Sequence, residues 1–196
     1  KSFIVAISGA SGAIYGIRLI EELLKTVDTI HLCVSGTAFS IIRTETNIDW
    51  LGESEQETEK KVRKHYSSNK INFYSETSLA APIASGSFLT GGMFIVPCSM
   101  KTLSGIAYGY ASNLIARAAD VVLKEGRSLI ISPREMPFNA IHLENMLKLS
   151  RMGVTIAPPV PAFYQKPKEL NDIVDFVVGK LLDAGGIKHN LFKRWE

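Results

Sequence analysis

An apolar run, residues 3–7, breaks into Ser8-Gly9-Ala10-Ser11-Gly12, and an amphipathic segment begins at Ala13. A strand, a small-residue turn and a helix N-terminus follow one another with no room between them. A turn this short sends the helix straight back onto its own strand, and that is the first half of a right-handed βαβ crossover. Similar short apolar runs, each closed by small residues or proline, lie at 30–34, 94–97, 128–132 and 154–157, with a weaker one at 70–74. They read as buried parallel strands. Helical periodicity fills the gaps at 13–24, 111–124, 141–150 and 169–182, and a second strand-to-helix turn occurs at Ser99. The alternation predicts an α/β fold: a single Rossmann-like (flavodoxin-like) doubly wound parallel sheet with helices on both faces, built from residues 1–196 as one domain. Ligands in such sheets bind beyond the C-terminal ends of the strands.

Composition narrows the classes. A chain of 196 residues is long enough for a sizeable core. A net charge of +3 without basic blocks gives no electrostatic case for nucleic acid. Cys33 and Cys98 both sit in apolar runs and read as reduced core thiols, and the four histidines have no metal-ligand spacing. No apolar stretch approaches the length of a membrane span, and the start lacks the pattern of a signal peptide, so a cytoplasmic protein is expected. Residues 52–69 read as a solvated helix with opposite charges at helical spacing. Residues 78–92 are small, apolar and turn-rich, and are expected to cover a ligand or a neighbouring subunit.

The turns suggest phosphate. Exposed amides at a helix start favour an anion, and Gly9, Ala10, Ser11 and Gly12 offer one such start while Ser99, Met100, Lys101 and Thr102 offer another. Close packing of helix on strand, or a plain serine cap, would explain either turn alone. The dinucleotide fingerprint is absent: the second strand ends Val34-Ser35-Gly36, with no carboxylate for a ribose diol. A mononucleotide such as FMN fits better than NAD. Arg134 and Glu135 stand between Pro133 and Pro137 directly after a buried strand, where an α/β site belongs. An aromatic pair, Phe163 and Tyr164, sits on a proline-framed loop after the last strand. There a tyrosine hydroxyl could meet phosphate or the rings could simply plug the core.

In order and spacing, ISGASGAIYG at 7–16, Thr44-Glu45-Thr46, ASGSF at 84–88, PCSMKTLSGIAYG at 97–109, ARAADVVLKEGRSLIISPREMPF at 116–138, HLENMLKLS at 142–150, PPVPAFYQKP at 158–167 and the closing Lys-Arg-Trp form one set. The set resembles the UbiX-type flavin prenyltransferases along nearly the whole chain. The resemblance implies an enzyme that joins a dimethylallyl group, from dimethylallyl monophosphate, to N5 and C6 of reduced FMN. Its product, prenylated FMN, serves UbiD-type decarboxylases. It also implies no metal, and a homo-oligomer, typically a dodecamer, with sites at subunit interfaces. Carried over residue by residue, Gly9, Ala10, Ser11, Ser35, Ser99, Met100, Lys101, Thr102 and Arg134 would hold FMN. Arg117, Lys124, Glu135, Tyr164 and Lys180 would surround the prenyl phosphate. Glu135 would move a proton through Ser11, Glu45 would orient the flavin edge, and Lys124 would stabilise the leaving phosphate. Trp195 would close the site, in a tail (185–196) packed near it or on a neighbouring subunit. Some members carry Arg where Lys180 stands; Lys meets phosphate as a point charge without the fork. Two other readings stay open: a flavin-dependent cysteine decarboxylase of related fold, which would need a histidine on an early helix that residues 13–30 lack, and a non-catalytic FMN-binding module.

Overall fold

The structure is a computed structural model and describes residues 1–194, so Trp195 lies outside the described residues. Six strands form one parallel sheet: β1 (Ser2–Ile7), β2 (Thr29–Val34), β3 (Ile71–Ser75), β4 (Met93–Cys98), β5 (Leu129–Pro133) and β6 (Thr155–Ile156), in the order β3-β2-β1-β4-β5-β6. The expected doubly wound α/β sheet is present, and of the two common strand orders it has the Rossmann one. Seven α-helices cover the described residues: α1 (Ala13–Leu24), α2 (Gly36–Thr46), α3 (Glu55–Tyr66), α4 (Met100–Ala107), α5 (Leu114–Lys124), α6 (Ala140–Arg151) and α7 (Leu170–Ala184).

Each face of the sheet has its own core. Val5, Ile7, Leu32 and Phe94 point to one side and meet α1 and α7. Ala6, Ile95, Leu129 and Ile131 point to the other and meet α4, α5 and α6. Alternate residues of one strand thus feed both layers, and nearly every strand residue is apolar for that reason. Gly16 lets α1 approach β4: a Cβ there would run into the Val96 carbonyl. Pro97 has no N–H to give the ladder, and the β4–β5 register shifts between Ile95 and Cys98.

Three expectations change. Helix α2 was not anticipated, because Ser and Thr in GTAFSIIRTET weaken its helical signature. β6 is only two residues long, since Pro158 and Pro159 cannot extend it. Helix α5 begins at Leu114 rather than Ala111, because the Asn113 side chain caps the Ala116 N–H at 3.0 Å.

The polar stretch at 52–69 contains helix α3, yet its charges do more than face water. β3 is an edge strand, so alternate backbone groups on one side have no strand partner. Glu55 accepts from Ser75 N–H at 2.7 Å, Glu59 accepts from Phe73 N–H at 2.8 Å, and Arg63 Nε donates to the Ile71 carbonyl at 2.7 Å. Four residues of helix rise about 6 Å and two of strand about 6.6 Å, so the i, i+4 row of α3 matches the strand spacing.

Candidate active site

The strand order reverses between β1 and β4, and the residues after both strands meet there. Ser8 joins them. It is buried; its N–H and its hydroxyl both donate to the Pro97 carbonyl at 3.2 Å, and its Oγ accepts from the Ser99 N–H at 2.8 Å. The Ser35 N–H donates to the Ile7 carbonyl at 3.0 Å, and the Arg134 N–H donates to the Cys98 carbonyl at 3.1 Å. These backbone ties draw four strand ends into one crevice. The turn holding Gly9, Ala10 and Ser11, the cap Ser35, the run from Ser99 to Thr102 and Arg134 all lie along it. Sequence reasoning missed Ser8, because its seryl hydroxyl does its work only once the two turns are adjacent.

The helix starts along this edge are not equivalent. Gly12, with φ of 95°, turns the chain into α1. The Gly12 and Ala13 N–H groups donate to the Glu45 carboxylate at 2.9 and 3.0 Å. That carboxylate therefore occupies the anion position of the first turn. At α2, Ser35 Oγ accepts from Ala38 N–H at 3.3 Å, and Glu76 accepts from Gly36 N–H at 2.6 Å. Only α4 among these three starts has a neutral cap: Ser99 Oγ accepts from Thr102 N–H at 3.2 Å and its hydroxyl donates to Thr102 Oγ1 at 3.1 Å. Its Met100 and Lys101 N–H groups belong to a first turn with no carbonyl four residues back. Beside it, Arg134 Nε is buried with no hydrogen-bond partner. A positive helix end beside an unsatisfied guanidinium nitrogen has the chemistry to take a phosphate monoester, whereas the start of α1 already holds a carboxylate.

Glu135 is exposed, and among the described residues its carboxylate accepts from the Met136 N–H, at 3.1 Å. Tyr164 sets its ring edge-on to Phe176, with centroids 5.7 Å apart. Phe176 also lines a cavity of about 250 Å³ with Ala157, Pro158, Val160 and Lys180. Tyr164 and the cavity that Lys180 lines thus share Phe176 as a neighbour.

Lys124 and Arg117 are not brought there by the same chain. Helix α5 begins at the crevice edge, where Leu114 N–H meets the Glu76 carbonyl, and runs antiparallel to the strands for 11 residues, about 16 Å. Lys124 ends up beside Glu125 and Gly86, past the N-terminal ends of the strands and away from the crevice. Arg117 donates to the Ala84 carbonyl at 3.2 Å and pairs with Asp120 at 3.0 Å. The 78–92 loop also has more partners on its own chain than its composition promised. Arg127 donates to the Gly86 and Phe88 carbonyls, Ile83 is buried, and Leu79 and Leu89 remain exposed.

Cys33, Cys98 and His31 are buried. Burial pushes the Cys98 thiol up to about 12 and drives Cys33 well above its usual range; both are free. His31, on β2, is buried against Tyr74 and Phe88, and burial lowers its pKa. It stands on a strand, not on an early helix as a cysteine decarboxylase would require. Among the described residues no group of three His, Cys, Asp or Glu side chains is gathered as a metal site, and no helix is long and apolar enough to cross a membrane.

Comparison with known proteins agrees with this layout. The flavoprotein family model matches residues 1–182. The chain is 53% identical to the flavin prenyltransferase UbiX of Methanocaldococcus jannaschii, over 98% of this chain and 97% of the relative. It is 45% identical to a dodecameric FMN-dependent UbiX-like decarboxylase from Escherichia coli O157:H7, with a TM-score of 0.89 and full coverage of both chains. It is 39% identical to AnUbiX, solved with FMN and dimethylallyl pyrophosphate, with a TM-score of 0.89 over 100% of this chain and 97% of that one. Fold, crevice and sequence lead to one assignment: this chain belongs to the flavoprotein family, among the UbiX flavin prenyltransferases.

Proposed function

We propose that this chain, acting as one domain in a cytoplasmic homo-oligomer, transfers the dimethylallyl group of dimethylallyl monophosphate to reduced FMN without a metal. Its prenylated product then serves a UbiD-type decarboxylase. The observation that carries this reading is the crevice at the β1–β4 reversal, with a neutral helix start and an unpartnered buried Arg134 Nε side by side.

When bound, reduced FMN supplies the electron-rich ring that accepts the prenyl carbon. The protein supplies the rest. Ser99, Met100, Lys101, Thr102 and Arg134 hold the FMN phosphate, and Gly9, Ala10 and Ser35 border the ring. Glu45, fixed by two amides, orients the flavin edge. Glu135 follows Arg134 directly, so its exposed carboxylate would take the proton leaving flavin C6, with the exposed Ser11 hydroxyl as relay. Tyr164 and Lys180 meet the prenyl phosphate and neutralise the charge that grows as its C–O bond breaks. Lys124 and Arg117 act in a neighbouring copy's site, because α5 carries Lys124 to the end of the strands opposite its own crevice.

A test follows from that division. Lys124→Ala and Lys180→Ala should each lower prenyl transfer by about tenfold or more. Co-expressed in one oligomer, the two variants should recover part of the turnover, because some sites then hold both lysines. No recovery, with oligomers intact, would remove Lys124 from the shared site; wild-type turnover in both variants would remove the phosphate site itself.

A further inference from the structure

After α7 the chain reverses at Gly186, with φ of 66°, and residues 187–194 return along the helix they have just left. Two fastenings hold this segment. The first is Asp183. His189 is 1% exposed in its side chain; its Nδ1 accepts from the Leu191 N–H at 3.2 Å, so its Nε2–H is the one that donates to Asp183 Oδ1, at 3.1 Å. The Arg194 guanidinium donates to both oxygens of the same carboxylate, at 2.8 and 3.2 Å. The second fastening is Gln165, whose Nε2 donates to the Lys193 carbonyl at 3.0 Å. Gln165 is the residue after Tyr164.

Between the fastenings the segment sits in a notch. Gly179 has no side chain, and a Cβ there would collide with the Phe192 ring and come within 2.6 Å of His189 Cε1. Phe192 lies with its centroid 5.2 Å from that of Phe176, and Phe176 in turn meets Tyr164. Lys180 follows Gly179 directly. The same eight residues therefore touch the helix turn that presents Lys180 and the loop that presents Tyr164.

We propose that segment 187–194 is a strap, seated in the Gly179 notch and tied to Asp183, that positions Tyr164 beside Lys180 and so sets the affinity for the phosphorylated allylic substrate. The proposal rests on the reading of Tyr164 and Lys180 as phosphate ligands. Tyr164 is carried on a long loop between β6 and α7 and is 58% exposed. Without the strap, ordering that loop would be charged to substrate binding. Gly179, Asp183, His189 and Phe192 are positioning residues here; none is assigned a contact with substrate.

Gly179→Ala fills the notch and Phe192→Ser empties the strap of its ring, from opposite sides of one contact. Both should leave thermal unfolding cooperative and FMN affinity within about twofold of wild type. Both should raise KM for dimethylallyl monophosphate by about tenfold or more while kcat changes by less than about threefold. Trypsin should cut after Lys188 about tenfold faster in both, because the strap is released. Phe192→Leu, which keeps apolar bulk, should stay near wild type in both readouts. Faster cutting with unchanged KM would overturn the positioning role. Unchanged cutting in both variants would overturn the notch. A wild-type protein that makes no prenylated flavin would instead overturn the reading of the site, and the strap's role with it.

Discussion

Glu45 shows how one residue can decide what a helix start is for. It lies near the end of α2, and its carboxylate accepts from the first two N–H groups of α1. In a sheet of Rossmann order this is the place where a dinucleotide's pyrophosphate would sit. An internal carboxylate there satisfies the amides and the positive helix end without a ligand. Glu45→Ala should therefore lower stability by about 1–2 kcal/mol, read as a lower urea midpoint with unchanged slope. An unchanged midpoint would show that solvent caps α1 equally well. The sequence marked Glu45 only through the resemblance. Nothing local announces that a residue 33 positions on will reach back to Gly12 and occupy the anion position of the first turn.

At the scale of elements, α3 and β3 form one unit although neither looks strong alone. The charged face of α3 supplies hydrogen-bond partners to the open edge of β3, and a charge-assisted bond to a part-buried backbone group contributes about 1.5–3 kcal/mol. Arg63 also pairs with Glu59 at 3.0 Å, so it holds both the strand and the residue that caps its neighbour. Arg63→Ala should cost roughly 1–3 kcal/mol and leave the Ile71 carbonyl open to intermolecular pairing. Chemical denaturation and light scattering would check this; a stability loss no larger than for an exposed α3 lysine would contradict it. Strands β1, β2, β4 and β5 were legible because burial on both faces writes an uninterrupted apolar run. The clamp was not legible, since charges four apart read the same whether they meet water, one another or a strand edge.

For the whole molecule, the fold follows from the alternation of elements, while the site depends on where each element ends. Residues next to strand ends, such as Ser35, Ser99 and Arg134, could be placed from sequence because the strands themselves were clear. Lys124 could not, because its position depends on the direction of α5, and a cation's place in the sequence carries no direction. Stability of the whole should also respond to acid. Desolvation holds buried His31 below the ordinary imidazole value, and it lowers the more exposed His65 where that ring packs against Trp50 and Tyr66. As pH falls through about 6.5 the unfolded chain takes up protons that the folded chain refuses, so stability must decline. The urea midpoint should be lower at about pH 5.5 than at about pH 7.5, and His31→Phe should flatten that difference. A midpoint that rises on acidification would contradict the desolvation of His31.

The central claim is that the crevice at the β1–β4 reversal holds FMN by its phosphate while a dimethylallyl group is joined to the flavin. The most direct measurement is a mass spectrum of the flavin released after anaerobic incubation of the wild-type protein with reduced FMN, dimethylallyl monophosphate and a metal chelator. The expected product is a flavin heavier by one five-carbon isoprenyl unit, formed with FMN and not with riboflavin, and absent when the flavin is kept oxidised. Recovery of unmodified FMN from the complete mixture would contradict it.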